Sequence, residues 1–246
     1  MNPSQLIVMD DAQALYVRAA EEIAHFAGEA ICTHGEFTLC LTGGATPAST
    51  YELLATRFRL SVDWKEVQFF WGDERCLPPD DPASNFGMAN RAILSKLALR
   101  PEQVHRMRGE DDPAPAAQEY ERELRAFFGL EQPGDFPSFN LLLLGLGENA
   151  HIASLFPHHS ALRQETRMAV AVDVEATPSR RISLTLPVIN SAERVMFLVS
   201  GEKKAAAVKN ILQGPEDPEE YPGQFVKPHS GEIVWLVDQA AASKLR

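Results

Sequence analysis

Residues 140–144 read Asn-Leu-Leu-Leu-Leu, four apolar residues in a row with a glycine directly after them at 145. A run so short and so uniformly apolar reads as a strand buried on both faces, because a half-buried strand alternates and a helix needs more residues. Such a strand requires helices on both sides of its sheet. The chain supplies them. Residues 37–41 (FTLCL) and 67–71 (VQFFW) read as further buried strands, with strand candidates at 168–173, 181–186, 194–199 and 232–237. Helical spacing of apolar residues recurs over 11–33, 47–59, 84–97, 114–128, 202–213 and 239–245. This alternation predicts a doubly wound, mainly parallel α/β sheet with helices on both faces. Residues 1–246 are expected to form one domain, with the Pro- and Gly-rich stretches 131–138 and 213–231 as loops inside it.

In sheets of this kind ligands bind outside the carboxyl ends of the strands, so motifs that follow strands carry the functional reading. Thr42-Gly43-Gly44-Ala45-Thr46-Pro47 follows one strand and opens a helix. Its glycines allow a tight turn and a close approach to a ligand. Thr46 is expected to cap the helix, with Pro47 at its first position. A helix N-terminus there suits a phosphate; a plain strand-to-helix turn is the alternative. Trp71-Gly72-Asp73-Glu74-Arg75 ends the next strand, and Ser84-Asn85 follows. Arg75 can hold a phosphate or carboxylate bidentately, although a local ion pair to Asp73 or Glu74 is the plainer reading. Gly145-Leu146-Gly147-Glu148-Asn149-Ala150-His151 follows the leucine strand and runs on into Ile152-Ala153-Ser154-Leu155-Phe156-Pro157. His151 is expected near a helix start at the functional edge of the sheet, where histidine is the usual general base near neutral pH. Arg181 and Lys204 form a fourth group. Arg181 opens the strand RISLTL and Lys204 follows VMFLVS, while surface placement is the default for such residues.

Composition narrows the class. Lys and Arg total 23 against 34 Asp and Glu, a formal charge of −11, which argues against nucleic acid as a partner because phosphate neutralisation needs clustered cations. A few local cations still suffice for a small phosphorylated ligand, since salt screens distant charges within about 8 Å. Cys32, Cys40 and Cys76 match neither a disulfide framework nor a zinc site. The first residues lack the basic start and apolar run of a signal peptide, so a cytoplasmic protein with reduced thiols is expected. No apolar run has the length of a membrane span. A Gly-x-Ser-x-Gly elbow is absent, and His151, His158 and His159 lack zincin spacing. Cys76 beside Arg75 reads as inert. No metal or organic cofactor is expected, and nothing in the pattern fixes an oligomeric state.

Taken in order, TGGATP, WGDER with SN after it, LGLGENAHIASLFP, RISLTLPVIN, GEKKA and WLVDQAA resemble the 6-phosphogluconolactonase family across nearly the whole chain. The resemblance implies a Rossmann-like fold and hydrolysis of 6-phospho-D-glucono-1,5-lactone in the oxidative pentose phosphate pathway. It implies His151 as the base that activates water, with Arg75 steadying the anionic substrate or the developing charge. Gly43, Gly44 and Thr46 would line the site. Arg181 and Lys204 would hold the phosphate, and Asp73 and Asn85 would shape the pocket. The family usually has Asp-Gly-His where this chain has Asn149-Ala150-His151. Asn149 accepts a hydrogen bond without bringing a charge, which lowers the expected imidazole pKa. Glu148 stands where the family has proline and offers a carboxylate from another direction. Two readings compete. An amino-sugar phosphate isomerase/deaminase shares the fold but carries Asp-Glu-Tyr in place of Asp73-Glu74-Arg75. A non-catalytic sugar-phosphate sensor is kept open by Asn149.

Overall fold

The computed structural model describes residues 4–175 and 177–246. The chain opens with β1 (Ser4–Met9), an edge strand absent from the sequence reading, and α1 (Ala12–His34). Asp11 caps α1 by accepting from Ala14 N–H at 2.8 Å, and Gly35 ends it in a left-handed conformation (φ +83°). Leu15, Ala19, Ile23, Phe26 and Ala30 form the buried stripe of α1, the spacing that brings one helix face onto a sheet. β2 (Phe37–Leu41), α2 (Ala45–Ala55) and β3 (Val67–Trp71) follow. Then come β4 (Asp73–Arg75), α3 (Asn85–Ala92), α4 (Pro113–Phe128) and β5 (Leu141–Leu144). The second half holds β6 (Ala169–Asp173), β7 (Arg180–Leu184), α5 (Leu186–Ile189), β8 (Arg194–Val199), α6 (Ala205–Gln213), β9 (Glu232–Asp238) and α7 (Gln239–Ala242).

Six strands form a parallel sheet in the order β1-β9-β8-β5-β2-β3, flanked by helices. This is the expected doubly wound α/β architecture. β5 lies inside it, and Leu141 to Leu144 are at most 1% exposed. Burying each leucine side chain contributes about 2 kcal/mol, so the run is stable only with cover on both faces. From β2 the chain winds outward to β3, then returns to place β5 on the other side of β2. The crevice between the ends of β2 and β5 is therefore the topological switch point, where ligands of open α/β sheets bind.

Two expected strands lie elsewhere. β6 and β7 pair antiparallel with each other, and β7 pairs with β4, giving a second sheet of order β4-β7-β6. The short connection between Asp173 and Arg180 leaves no room for the helix that a parallel crossover requires. Gly72 joins the two sheets. Its N–H donates to Leu41 O at 2.9 Å in the parallel sheet, and its carbonyl accepts from Leu184 N–H at 2.8 Å in the other. The helix expected over 84–97 ends at Ala92 and is followed by a short 3-10 turn, Leu94–Lys96. Among the described residues no helix is long and apolar enough to cross a membrane.

Candidate active site

All ten residues singled out from the sequence line one cavity of about 630 Å³ at the switch point: Gly43, Gly44 and Thr46 after β2; Asp73, Arg75 and Asn85 after β3; Asn149 and His151 after β5; Arg181 on β7; and Lys204 after β8. The sheet ends bring these distant segments together.

The wall after β2 is held from behind. Tyr51 of α2 donates its hydroxyl hydrogen to Thr42 O at 3.0 Å and accepts from Thr42 N–H at 3.0 Å. Gly43 follows, and a Cβ there would fall onto the Asn85 carboxamide. Gly44 takes φ +113° and is the N-cap of α2, a conformation that favours glycine. Thr46 is therefore not the cap, and Pro47 is not the first helical position. The helix begins two residues before Pro47 because Gly44 makes the turn into it. No side chain caps α2, so its first-turn N–H groups meet the cavity with the positive end of the helix dipole.

The expected ion pair from Asp73 or Glu74 to Arg75 does not form. Glu74 is 2% exposed. It accepts from the N–H groups of Arg75, Asn85 and Phe86 at 2.7–2.8 Å and from the Ser84 hydroxyl at 3.1 Å. Burial raises its pKa, and these backbone donors pull it back. Glu74 thus anchors the start of α3 and sets Asn85 in the wall. Asp73 accepts from Asn85 Nδ2 at 3.1 Å and from the Ser154 hydroxyl at 2.7 Å. Ser154 is a residue that the sequence pattern does not single out, because a serine between apolar residues carries no signal of the partner it finds across the fold.

Two guanidinium groups face this wall with donors to spare. Arg75 Nη1 donates to Ala83 O at 2.7 Å, while Arg75 Nε and Arg181 Nε are buried without a partner among the described residues. Arg181 lies over the Phe156 ring at 5.5 Å. Burial pulls Arg181 below its ordinary pKa; Asp73 opposes this and Arg75 adds repulsion. Burial also lowers Lys204, and Glu148 acts against that shift. Glu148 therefore acts on Lys204, and His151 Nδ1 takes Asn149 as its hydrogen-bond partner. Cations held in a desolvated cavity with unused donors favour an anionic ligand.

His151 sits in an irregular turn, and no helix begins there. Gly147 N–H donates to His151 O at 2.8 Å and Ala150 N–H to Gly147 O at 3.0 Å. Ala150 and Ala153 take the left-handed region, with φ +65° and +46°, which blocks helical continuation. Gly147 is required by proximity, since a Cβ on it would strike the His151 ring. The imidazole stacks on Phe156, with centroids 4.2 Å apart and planes 18° from parallel. Its Nδ1 lies 2.6 Å from Asn149 Oδ1. A carboxamide oxygen only accepts, so Nδ1 carries the hydrogen and Nε2 keeps its lone pair. The pKa of His151 is pushed down to about 4, by burial first and then by Arg181, Lys204 and Arg75. At neutral pH the ring is a neutral base with a fixed tautomer.

The chain is similar along its length to known proteins. A 6-phosphogluconolactonase of Synechocystis sp. is 40% identical over 243 residues, covering 98% of each chain. One from Mycobacterium tuberculosis is 37% identical over 249 residues, again 98% of each. The crystal structure of a devB protein superimposes with a TM-score of 0.89 at 30% identity, covering 99% of this chain and 100% of that one. A family model described as glucosamine-6-phosphate isomerases/6-phosphogluconolactonase matches residues 10–235, and the chain belongs to that family.

Proposed function

We propose that this cavity hydrolyses 6-phospho-D-glucono-1,5-lactone to 6-phosphogluconate, the lactone-opening step of the oxidative pentose phosphate pathway. The observation that carries the reading is the 2.6 Å bond from His151 Nδ1 to Asn149, which leaves Nε2 as a base among three cations. A δ-lactone is an activated ester and needs no covalent nucleophile. Nε2 takes a proton from water as the water oxygen attacks C1. The carbonyl oxygen becomes an oxyanion, which Arg75 or the open N–H groups of α2 stabilise. Collapse breaks the bond from C1 to the ring oxygen, and the proton on Nε2 passes to that oxygen as it leaves. General base catalysis of this kind is worth roughly 10²–10⁴-fold.

Arg181 and Lys204 take the phosphate in this reading, and its binding orients the ring against His151. Residues 1–246 act as one domain, because strands of both sheets supply walls of the same cavity. The cytoplasm is the proposed location. Turnover of freshly made 6-phosphogluconolactone, corrected for spontaneous hydrolysis, tests the reading. Enzyme-dependent hydrolysis is expected, with His151→Ala reducing kcat by roughly 10²–10⁴-fold. Absence of turnover with intact folding overturns it, and release of ammonia from glucosamine 6-phosphate would favour the isomerase/deaminase.

A further inference from the structure

Asp238 ends β9 within the WLVDQAA motif, to which the proposed chemistry assigns nothing. Its carboxylate is buried, 4% exposed. Oδ1 accepts from Gly201 N–H at 3.0 Å and Ala241 N–H at 2.7 Å. Oδ2 accepts from the Ser200 hydroxyl at 2.5 Å and from Gly201 N–H at 3.1 Å. Every partner is a donor. A serine hydroxyl has one hydrogen, and Ser200 commits it to Asp238. What Ser200 retains is lone pairs, and Ser200 lines the same cavity as His151 and Lys204. An oxygen in that state cannot donate to an ionised phosphate, whose oxygens also only accept. It is matched to the hydrogen of an alcohol.

We infer that Ser200, locked as an acceptor by Asp238, reads one hydroxyl of the sugar ring. Ser200 is then a specificity-determining residue and Asp238 a positioning residue that sets the direction of its hydrogen. The inference rests on the lactonase reading, whose substrate carries ring hydroxyls on C2, C3 and C4. A purely structural role for Asp238 is the rival, since its bonds to Gly201 also steady the turn that bears Lys204.

The experiment compares the full-length protein with Ser200→Ala, Asp238→Asn and the double variant on 6-phosphogluconolactone and its 2-, 3- and 4-deoxy counterparts. An asparagine at 238 keeps Oδ1 for Gly201 and Ala241 and turns an NH₂ toward Ser200, which then swings its hydrogen into the cavity. Both single variants are expected to lose about 3- to 10-fold in kcat/KM on the parent lactone, the worth of one neutral hydrogen bond. They should lose nothing on one of the deoxy lactones, and the double variant should lose no more than either single. Equal losses on all four lactones would show that Asp238 and Ser200 only hold the turn, and no loss on the parent would remove the contact altogether; either overturns the inference. Ser200→Ala leaves the backbone bonds of Asp238 in place, so it decides the matter if Asp238→Asn does not fold. Wild-type turnover of the parent reports separately on the lactonase reading. Calorimetric binding of 1,5-anhydroglucitol 6-phosphate and its deoxy forms reads the Ser200 contact without chemistry, with the same pattern across the variants expected.

Discussion

Replacing Asn149 with aspartate isolates the charge beside the base. The side chains have the same shape, and the contact at Nδ1 is 2.6 Å, so Asn149→Asp adds one negative charge to an existing hydrogen bond. Between charge centres about 4 Å apart, the attraction is about 4 kcal/mol at an effective dielectric of 20 and about 1 kcal/mol in water. Asn149 is exposed, so solvent screening favours the lower part of that range. The imidazole pKa should then rise by about 1 to 2 units, from about 4 in the wild type. A base works only when deprotonated, so a higher pKa moves the acidic limb of kcat/KM upward. At pH 7 both proteins keep the ring neutral, so any gain in rate there reflects the stronger base of the variant, while the shift of the acidic limb reports its pKa. Rapid quench with separation of lactone from acid gives the profile below pH 7. The second ionisation of a phosphate monoester near pH about 6 also bends kcat/KM, but it does so identically for both proteins and cancels in their difference. Superimposable profiles would refute the reasoning and show that Asn149 does not tune His151.

Three further outcomes are expected. Lys204→Ala and Arg181→Ala should each raise KM by roughly 10- to 100-fold with a smaller change in kcat, as loss of a charge-assisted contact to a remote group predicts; unchanged KM in both excludes them from phosphate binding. His151 has a folded pKa below its unfolded value, so the unfolded chain binds the proton first. Stability should therefore fall as pH drops from about 6.5 toward about 4, and denaturation midpoints of His151→Gln should be flatter over that window. Gly147→Ala should lower kcat on the order of 10²-fold with secondary structure intact, because its Cβ must displace the His151 ring; wild-type turnover would show that the ring position is not critical.

The sequence disclosed what depends on local pattern. FTLCL, VQFFW and NLLLL are short and dominated by apolar residues without helical spacing, the pattern of a buried parallel strand, so β2, β3 and β5 were legible almost to the residue. β4 was not, because Asp-Glu-Arg carries no apolar signal and becomes a strand only by pairing with β7. The register that sets Arg75 opposite Arg181 is a tertiary fact. The residues that line the cavity were legible as strand-end motifs, whereas their partners were not. Glu74 looked like a partner for the adjacent Arg75 and is spent on the N–H groups of α3. The turn at His151 was misread as a helix start because nothing in Glu-Asn-Ala-His announces an alanine at φ +65°. That conformation costs an alanine about 1 kcal/mol, and the surrounding hydrogen bonds impose it.

The electrostatics of the cavity join binding to catalysis. The chain is acidic, with a formal charge of −11, yet Arg75, Arg181 and Lys204 converge on one partly buried cavity at the sheet ends. Each repels a proton on His151. In the empty site this keeps the base deprotonated without help from a carboxylate, which is the work that Asn149 need not do: it fixes the tautomer and adds no charge. A base with a pKa near 4 is weak, because proton-transfer efficiency follows basicity. On the proposed reading the substrate corrects this. A phosphate dianion bound by Arg181 and Lys204 neutralises two of the charges that depress His151, so its basicity rises when the lactone is in place. The cations that recognise the phosphate thus also couple its arrival to the strength of the base, and an asparagine at 149 leaves that coupling unmasked by a permanent negative charge beside the ring.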